Sequence, residues 1–196
     1  MEINERLQKQ IIFSLEIDKE KNIFRQTHLS NHGRRENDAE HAWHMAVMAY
    51  ILQEYSNEKI DIAKVMIMCL IHDIVEIDAG DTYAYDENAK KTQKDREEIA
   101  KQRIFSILPE NQKEDLMMIF DEFEKSETPE AKFVRAMDNL QPLILNNSNN
   151  GDDWKVHNVT SKQIYGRQNS TKNGSSMLFE LTDKIIQENI KKGNIN

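Results

Sequence analysis

The sequence predicts an all-α fold, a compact multi-helix bundle whose central helices are buried. Leu, Met, Glu, Lys and Gln are abundant, and the 196 residues include only three Pro and six Gly, a balance that favours helix over sheet. Apolar residues recur at spacings of three and four, and no stretch predicts a convincing strand. We expect residues 1–196 to form one domain, because a chain of this length can bury a sizeable core.

The first segment predicts a helix followed by a loop. Ile3, Leu7 and Ile11 recur at a spacing of four, which is typical of an amphipathic helix over residues 3–17. Residues 18–37 show no clear periodicity, and between positions 19 and 35 they hold five Lys or Arg against one Glu, in a protein of net charge −8. Two interpretations are open, a solvated loop or a clamp for a phosphate group.

A helix buried in the middle of the domain is predicted next. Asn37 followed three residues later by Glu40 has the form of a helix-capping pair, so we expect a helix to start at Asp38. Residues 42–52 are apolar on nearly every side, which indicates a helix inside the domain rather than on its surface.

A second buried helix follows. Asp61 is placed to cap a helix from Ile62 to about Ile77, and Gly80 supplies a turn or a helix stop. A strand is the alternative for residues 65–71, but length, the Met and Leu content and the cap favour helix.

Thr128 and Pro129 mark the start of another helix, with Thr as the cap and Pro in the first turn. Pro142 removes the hydrogen bond to the carbonyl of Asp138, so we predict a kink there; the alternative is that the helix ends near Leu140. The other predicted helices cover residues 87–108, 110–125, 161–168 and 176–191, and residues 146–159 are predicted as a loop.

Charge and apolar content exclude several classes of protein. The net charge of −8 argues against binding to nucleic-acid polymers and to anionic membranes. The longest apolar run, residues 45–52, has eight residues, far short of the ~20 that a membrane-spanning helix needs, and the polar N-terminus predicts no signal peptide. The single cysteine, Cys69, is expected to be a buried thiol in a reducing cytoplasm.

The segment from His72 to Asp81 is the most unusual part of the chain. It directly follows the strongly apolar run of residues 65–71 and contains a histidine, four carboxylates and a glycine. Burying a histidine beside an aspartate at the end of an apolar helix costs several kcal/mol unless the pair is bonded or binds a metal. This cost predicts a metal site.

A divalent cation explains the cost if residues from other buried helices complete the site. Each candidate has an ordinary explanation by itself, as a core histidine or as an aspartate bonded to backbone or arginine. Together, two imidazoles and two carboxylates without thiolate suit Mn, Fe, Co, Ni or Zn better than a closed structural zinc site. His44 is expected to have a core or outer role. The proposed ligands are His41, His72, Asp73 and Asp138.

Three ordered motifs resemble those of the HD-domain metal-dependent phosphohydrolases. Residues 40–44 read Glu-His-Ala-Trp-His, residues 71–82 read Ile-His-Asp-Ile-Val-Glu-Ile-Asp-Ala-Gly-Asp-Thr, and residues 133–138 read Phe-Val-Arg-Ala-Met-Asp. Within the family the chain is similar to the branch with the bacterial 5′-deoxynucleotidases and HD domain-containing protein 2. The resemblance covers about residues 20–190.

The resemblance implies the same four metal ligands. A two-metal site, as in HD phosphodiesterases, needs further histidines after the HD pair, and only His157 follows, in a predicted loop. We therefore expect one divalent ion per site, which is Mn, Co, Fe, Ni, Zn or Mg.

The resemblance also implies that Glu76 and Asp81 position and activate the attacking water. The spacing agrees, because Glu76 lies three residues after Asp73 and Gly80 lets the chain turn back. The alternative is that Glu76 is a solvated helix-end acid and Asp81 a turn residue.

For substrate binding, the resemblance implies an arginine ahead of the first histidine helix. Arg25 matches best by local context, Arg34 or Arg35 is a candidate phosphate contact, and Thr82 at the end of the second motif is a further candidate. Gln26 departs from the family, which tends to carry Trp after the arginine, so base and sugar preference stay open.

The expected reaction is hydrolysis of (deoxy)nucleoside 5′-monophosphates to nucleoside and phosphate. The alternatives are another HD activity (triphosphohydrolase, pyrophosphatase or phosphodiesterase) and a non-catalytic helical module that binds nucleotide. The expected partner is a small nucleotide, and the resemblance also suggests a homodimer.

Overall fold

The computed structural model describes residues 4–86 and 88–196, and these are predominantly helical. The predicted all-α class is confirmed, with one small two-stranded sheet added within these residues. Position 87, where one predicted helix begins, lies outside the described part of the chain. None of the described helices has both the length and the apolar character needed to cross a membrane. The helices are α1 (Glu5–Ile17), α2 (Asp38–Leu52), α3 (Ile62–Ile71), α4 (Glu76–Ala79), α5 (Lys90–Phe105), α6 (Glu110–Lys125), α7 (Pro129–Ser148), α8 (Asp152–Val156), α9 (Ser161–Gln168), α10 (Thr171–Gly174) and α11 (Ser176–Lys191).

Several helices start at the capping residues that the sequence predicts. The Asn37 side chain accepts from the backbone N–H of Glu40, whose carboxylate accepts from the N–H of Asn37, so a capping box opens α2. The side chains of Asp61 and Thr128 cap α3 and α7 in the same manner. Each contact satisfies a backbone donor that has no partner inside its helix.

The loop predicted over residues 18–37 is wrong in part, because it contains a β-hairpin. β1 (Phe24–His28) and β2 (Arg35–Asn37) pair antiparallel. Distant side chains fasten the hairpin, since Asn149 donates to the carbonyl of His28 and Asp153 accepts from the N–H of His28. Hydrogen bonds over such a sequence distance leave no periodicity, so the local pattern does not reveal the strands.

The second buried helix is shorter than predicted. α3 ends at Ile71, and residues 72–75 form tight turns before α4 begins. The N–H of Glu76 bonds to the carbonyl of Asp73, three residues back rather than four, which is the tighter 3₁₀ pattern. Gly80 then ends α4 with a φ of 75°, a conformation that glycine adopts without steric cost. The strand alternative for the apolar run is wrong.

The centre of the larger hydrophobic cluster lies where α2, α3 and α7 pack together. Met45, Met68, Phe133 and Met137 are fully buried there, which confirms the predicted burial of the central helices. A second cluster joins α1, α5 and α6 to the turns after α3. Two of the three central helices, α2 and α7, carry proposed ligands described below, and two further ligands directly follow α3.

α7 runs without interruption through Pro142. The alternative that this helix ends near Leu140 is therefore wrong, and the kink beside Asp138 stays a prediction. The loop predicted over residues 146–159 is also wrong in part, because α7 continues to Ser148 and α8 follows. The asparagines and glycine of this segment serve instead as helix-end and turn residues.

Candidate metal centre and active-site cavity

Four predicted ligands converge from three parts of the chain. His41 lies on α2, His72 and Asp73 follow α3, Asp138 lies on α7, and all four are buried. The Nε2 atom of His41 is 3.4 Å from Asp138 Oδ1 and 3.9 Å from Asp73 Oδ2. The Nε2 atom of His72 is 3.1 Å from Asp73 Oδ2 and 4.0 Å from Asp138 Oδ1. His41, His72 and Asp73 therefore offer ligand atoms that all lie within 4.8 Å of one another, and the Asp138 carboxylate lies beside both histidines.

The Nδ1 hydrogen bonds fix the orientation of both imidazoles. His41 Nδ1 donates to Gln141 Oε1 and His72 Nδ1 donates to the carbonyl of Cys69, each over 2.9 Å. Because a carbonyl oxygen only accepts, the Nδ1 atoms carry protons and the Nε2 atoms face the cluster. Both Nε2 atoms are buried without a hydrogen-bond partner among the described residues.

Polar side chains outside the cluster hold the His41 imidazole in this orientation through Gln141. Gln141 Nε2 donates to Glu36 Oε1 over 2.6 Å and lies 3.0 Å from His44 Nδ1. These contacts orient the amide so that its oxygen faces His41. Outer hydrogen bonds of this kind hold ligand imidazoles in place, and His44 lies in this outer layer rather than among the proposed ligands.

The cluster fits a divalent transition metal. Metal–nitrogen and metal–oxygen bonds of ~2.0–2.2 Å set neighbouring ligand atoms roughly 3–4 Å apart. The four measured separations, from 3.1 to 4.0 Å, fall in this range. Imidazole and carboxylate ligands without thiolate suit Mn, Fe, Co, Ni or Zn, and four ligands leave positions free for water or substrate.

Burial and neighbouring charges prepare the donors for a cation. Burial lowers the pKa of His41 to about 4, so this imidazole is neutral at pH 7. Burial by itself would raise the pKa of Asp73 and of Asp138. Nearby positive groups, His72 followed by Arg25 for Asp73 and Arg167 for Asp138, outweigh burial and hold each pKa well below its ordinary value. Both carboxylates are therefore ionised. Burial by itself would lower the pKa of His72, but the charge of Asp73 raises it, so a cation bound at Nε2 would displace a proton from this imidazole.

Arg25 reaches the cluster from the hairpin. Its Nη1 atom donates to Asp73 Oδ2 over 2.7 Å and to Asp38 Oδ1 over 3.1 Å. Sequence reasoning misses Asp38, because an acid in the first turn of a helix is usually explained by the helix dipole. In the structure Asp38 is fully buried, and one oxygen each from Asp38, Asp73 and Glu76 lie within 4.8 Å of one another.

Glu76 and Asp81 both line the cavity beside the proposed ligands. Glu76 is buried, and its Oε2 atom has no hydrogen-bond partner among the described residues. Burial, followed by the charges of Asp73 and Asp38, raises the pKa of Glu76 well above its ordinary value. Burial also raises the pKa of Asp81. These surroundings do not match a solvated helix-end acid at position 76.

Three of the proposed ligands, His72, Asp73 and Asp138, line a cavity of about 810 Å³, within the range of small-molecule sites. Its wall includes Arg25 and Thr82, which the resemblance marks for substrate binding. Sequence reasoning misses three cationic residues of the wall, Arg135, Lys162 and Arg167. Single cations on helices are normally solvated, so only their convergence in the fold identifies them.

Arg34 and Arg35 are not brought to the cavity. The Arg34 guanidinium contacts both carboxylate oxygens of Glu40, and its side chain is 54% exposed. Arg35 is exposed as well. The positive segment therefore divides, with Arg25 facing the site and the other two arginines facing solvent.

The helical fold agrees with a family comparison. A family model described as the HD domain matches residues 17–178, and the chain therefore belongs to the HD domain family. The resemblance predicted from the three motifs is confirmed.

The chain is also similar in sequence to curated proteins, and each match covers about half of the relative's length. The chain is similar to the human 5′-deoxynucleotidase HDDC2, at 30% identity over 111 residues, which are 57% of this chain and 53% of the relative. It is similar to the 5′-deoxynucleotidase hdd1 of Schizosaccharomyces pombe, at 29% identity over 113 residues and 55% of each chain. The chain thus spans about half the length of these curated relatives.

Solved structures match over most of the chain. A crystal structure described as a predicted metal-dependent phosphohydrolase, from Magnetospirillum magnetotacticum, has a TM-score of 0.93 at 42% identity, covering 97% of this chain and 96% of that one. A conserved hypothetical protein from Pyrococcus furiosus has a TM-score of 0.60 at 21% identity, covering 92% of this chain and 99% of that one. The latter likeness is one of fold.

Proposed function

We propose that this chain is a metal-dependent phosphohydrolase that converts (deoxy)nucleoside 5′-monophosphates to nucleoside and phosphate, with one HD-type domain over residues 1–196. One observation carries the proposal: the unpartnered Nε2 atoms of His41 and His72 face the ionised carboxylates of Asp73 and Asp138. Buried polar atoms are nearly always satisfied, so this cluster suits a bound cation. The names of the similar proteins support the reaction class.

These four residues would hold one divalent ion, which is Mn, Co, Fe, Ni, Zn or Mg. When bound, such an ion neutralises phosphate charge and lowers the pKa of a bound water. Arg25 binds and orients the phosphate, because its guanidinium lies on the cavity wall and already bonds to anionic oxygens.

Glu76 and Asp81 orient the attacking water for in-line displacement. Both line the cavity, and burial raises the pKa of each carboxyl above its ordinary value, which favours the protonated form that a proton-transferring group needs. The Thr82 hydroxyl accepts from Arg96 over 2.9 Å, which leaves its own proton free to donate to a substrate oxygen. Arg34 stays a predicted phosphate contact, although it would have to leave Glu40 to reach the cavity.

Phosphate release tests the proposal. Protein stripped with a chelator is reloaded with Mn, Co, Mg or Zn and assayed against a panel of nucleoside and deoxynucleoside 5′-monophosphates. We expect phosphate from dAMP after metal addition and none from Asp73→Ala. Asp78→Ala is the matched control, because Asp78 belongs to the same segment but bonds to Arg103 away from the cavity wall. Loss of activity in both variants would contradict the assignment.

Three other outcomes of this assay would assign a different function to the chain. Pyrophosphate and dAMP from dATP, without phosphate from dAMP, would assign a pyrophosphatase. Inorganic triphosphate and deoxyadenosine from dATP would assign a triphosphohydrolase. Metal binding with trace hydrolysis unchanged by Asp81→Ala would indicate a non-catalytic nucleotide-binding module.

We also propose a homodimer formed through the outer face of α2 and α3. A contiguous apolar face marks an interaction surface, and symmetric dimers are the commonest assembly. Sedimentation of wild type and Trp43→Glu tests this proposal, with a monomeric variant expected. The large apolar side chains exposed on this face are Trp43, Val47, Tyr50, Ile51, Ile67 and Leu70.

We also propose a cytoplasmic location, which the buried free thiol of Cys69 supports and which cell fractionation tests.

A further inference from the structure

Pro142 creates a local problem in α7 that the proposed reaction does not explain. A proline has no backbone N–H, so the carbonyl of Asp138, four residues earlier, loses its helical partner. A buried carbonyl without a partner costs free energy comparable to a lost hydrogen bond. Here the carbonyl belongs to one of the proposed metal ligands.

Arg167, in the last turn of α9, supplies the missing donor. Its Nη2 atom donates to the carbonyl of Asp138 over 3.2 Å and to Asp138 Oδ1 over 3.0 Å. Oδ1 is also the atom that lies 3.4 Å from His41 Nε2 and 4.0 Å from His72 Nε2. A single nitrogen therefore ties the backbone of the ligand to its carboxylate.

Arg167 is itself held by its neighbours. Its Nε atom donates to Asn139 Oδ1 over 3.2 Å, and Asn139 Nδ2 donates back to the carbonyl of Arg167 over 3.3 Å. Gln168 Nε2 donates to the carbonyl of Asn139 over 2.7 Å. These bonds join α9 to α7 at the position of the ligand, so the guanidinium is anchored rather than free.

Charge alone does not account for this contact. Arg135, on the same helix as Asp138, already places a guanidinium nitrogen 3.4 Å from Asp138 Oδ2. Arg167 adds a fixed link from a separate helix to the other oxygen. The planar guanidinium has a rigid set of donors, which a lysine ammonium cannot reproduce.

We propose that Arg167 is a positioning residue of the metal centre, which orients Asp138 so that Oδ1 faces the two Nε2 atoms. The inference rests on the ligand set given under the proposed function. Hydrogen bonds to ligand carboxylates orient them, and removing such partners typically weakens metal binding or activity roughly 10- to 100-fold.

The test compares Arg167→Met and Arg167→Lys with wild type. The Mn²⁺ affinity is measured by competition with a chelator, and Co²⁺-loaded protein gives an absorption spectrum that reports ligand geometry. Circular dichroism checks that each metal-free variant is folded. Arg103→Met is the matched control, because Arg103 also bonds to acids of other segments, Asp78 and Glu16, but does not line the cavity.

We expect Arg167→Met to bind Mn²⁺ roughly 10- to 100-fold more weakly. Arg167→Lys should also bind more weakly and show altered Co²⁺ bands, with the control unchanged. Equal or tighter binding by Arg167→Met would overturn the inference, since tighter binding is expected if the arginine only withdraws charge from the carboxylate. A lysine variant identical to wild type would also overturn it, because charge would then suffice. Absence of metal from wild type would refute the proposed function together with the inference.

Discussion

Replacing Arg25 with Met should destabilise the metal-free protein by about 3–5 kcal/mol, the cost of removing one partner from a buried ion pair. Arg25 Nη1 bonds to Asp73 and Asp38 at 2.7 and 3.1 Å, and the three side chains are 11%, 13% and 0% exposed. Methionine keeps much of the apolar stem and removes the charge. Two buried carboxylates then lose the cation that they share.

A count of the hydrogen bonds that Arg25 makes gives a similar loss of stability. Two hydrogen bonds to charged groups, each contributing ~1.5–3 kcal/mol, sum to roughly 3–6 kcal/mol. In a domain of this length each kcal/mol corresponds to ~2–4 °C, so the melting temperature should fall by roughly 6–20 °C. A divalent ion placed beside Asp73 would supply positive charge, so the loss should be smaller in saturating Mn²⁺.

Urea unfolding followed by circular dichroism, in the presence of EDTA, measures the change. Arg34→Met is the matched control, since Arg34 is exposed and bonds to Glu40 at the surface, where ion pairs contribute little. Its midpoint should match wild type. Coincident midpoints for Arg25→Met and Arg34→Met would refute the reasoning that Arg25 is the counter-charge of the buried carboxylates.

Two further predictions concern packing and pH. Gly174→Ala should lower the melting temperature, because the added Cβ would overlap a backbone oxygen of α7. Gly166→Ala should stabilise α9 by up to about 1 kcal/mol, because nothing lies within 4 Å of the added Cβ. Melting-temperature shifts of the same sign in the two variants would contradict this. The Glu122 carboxylate accepts from Lys64 Nζ over 2.6 Å and from the Thr128 hydroxyl over 2.5 Å. Burial by itself would raise the pKa of Glu122, but these contacts lower it below its ordinary value of 4.5. A lowered folded-state pKa stabilises the protein above the unfolded-state value, and this stability disappears as pH falls through the folded-state pKa. Glu122→Gln should therefore unfold at a lower urea concentration than wild type at pH 7, and the difference should shrink as pH falls below the ordinary value of 4.5. A constant difference would exclude this explanation.

The sequence by itself determined the helical class and the start of several helices. The capping box at Asn37 and the caps at Asp61 and Thr128 are contacts within one turn, so the residue pattern reports them directly. The three motifs also predicted that His41 and Asp138 belong to one site, and the HD domain model matches a range that includes both residues.

Only the tertiary structure decided which polar groups meet. Asp138 and Arg167 are 29 residues apart, and Asp38 and Arg25 come from different elements, so no local spacing connects them. The hairpin likewise depends on Asn149, more than a hundred residues away from its strands. A helix cap depends on the few residues around it, whereas the partner of a buried charge is chosen by how whole helices pack. For that reason two arginines of one basic segment, Arg25 and Arg34, have opposite surroundings in the folded protein.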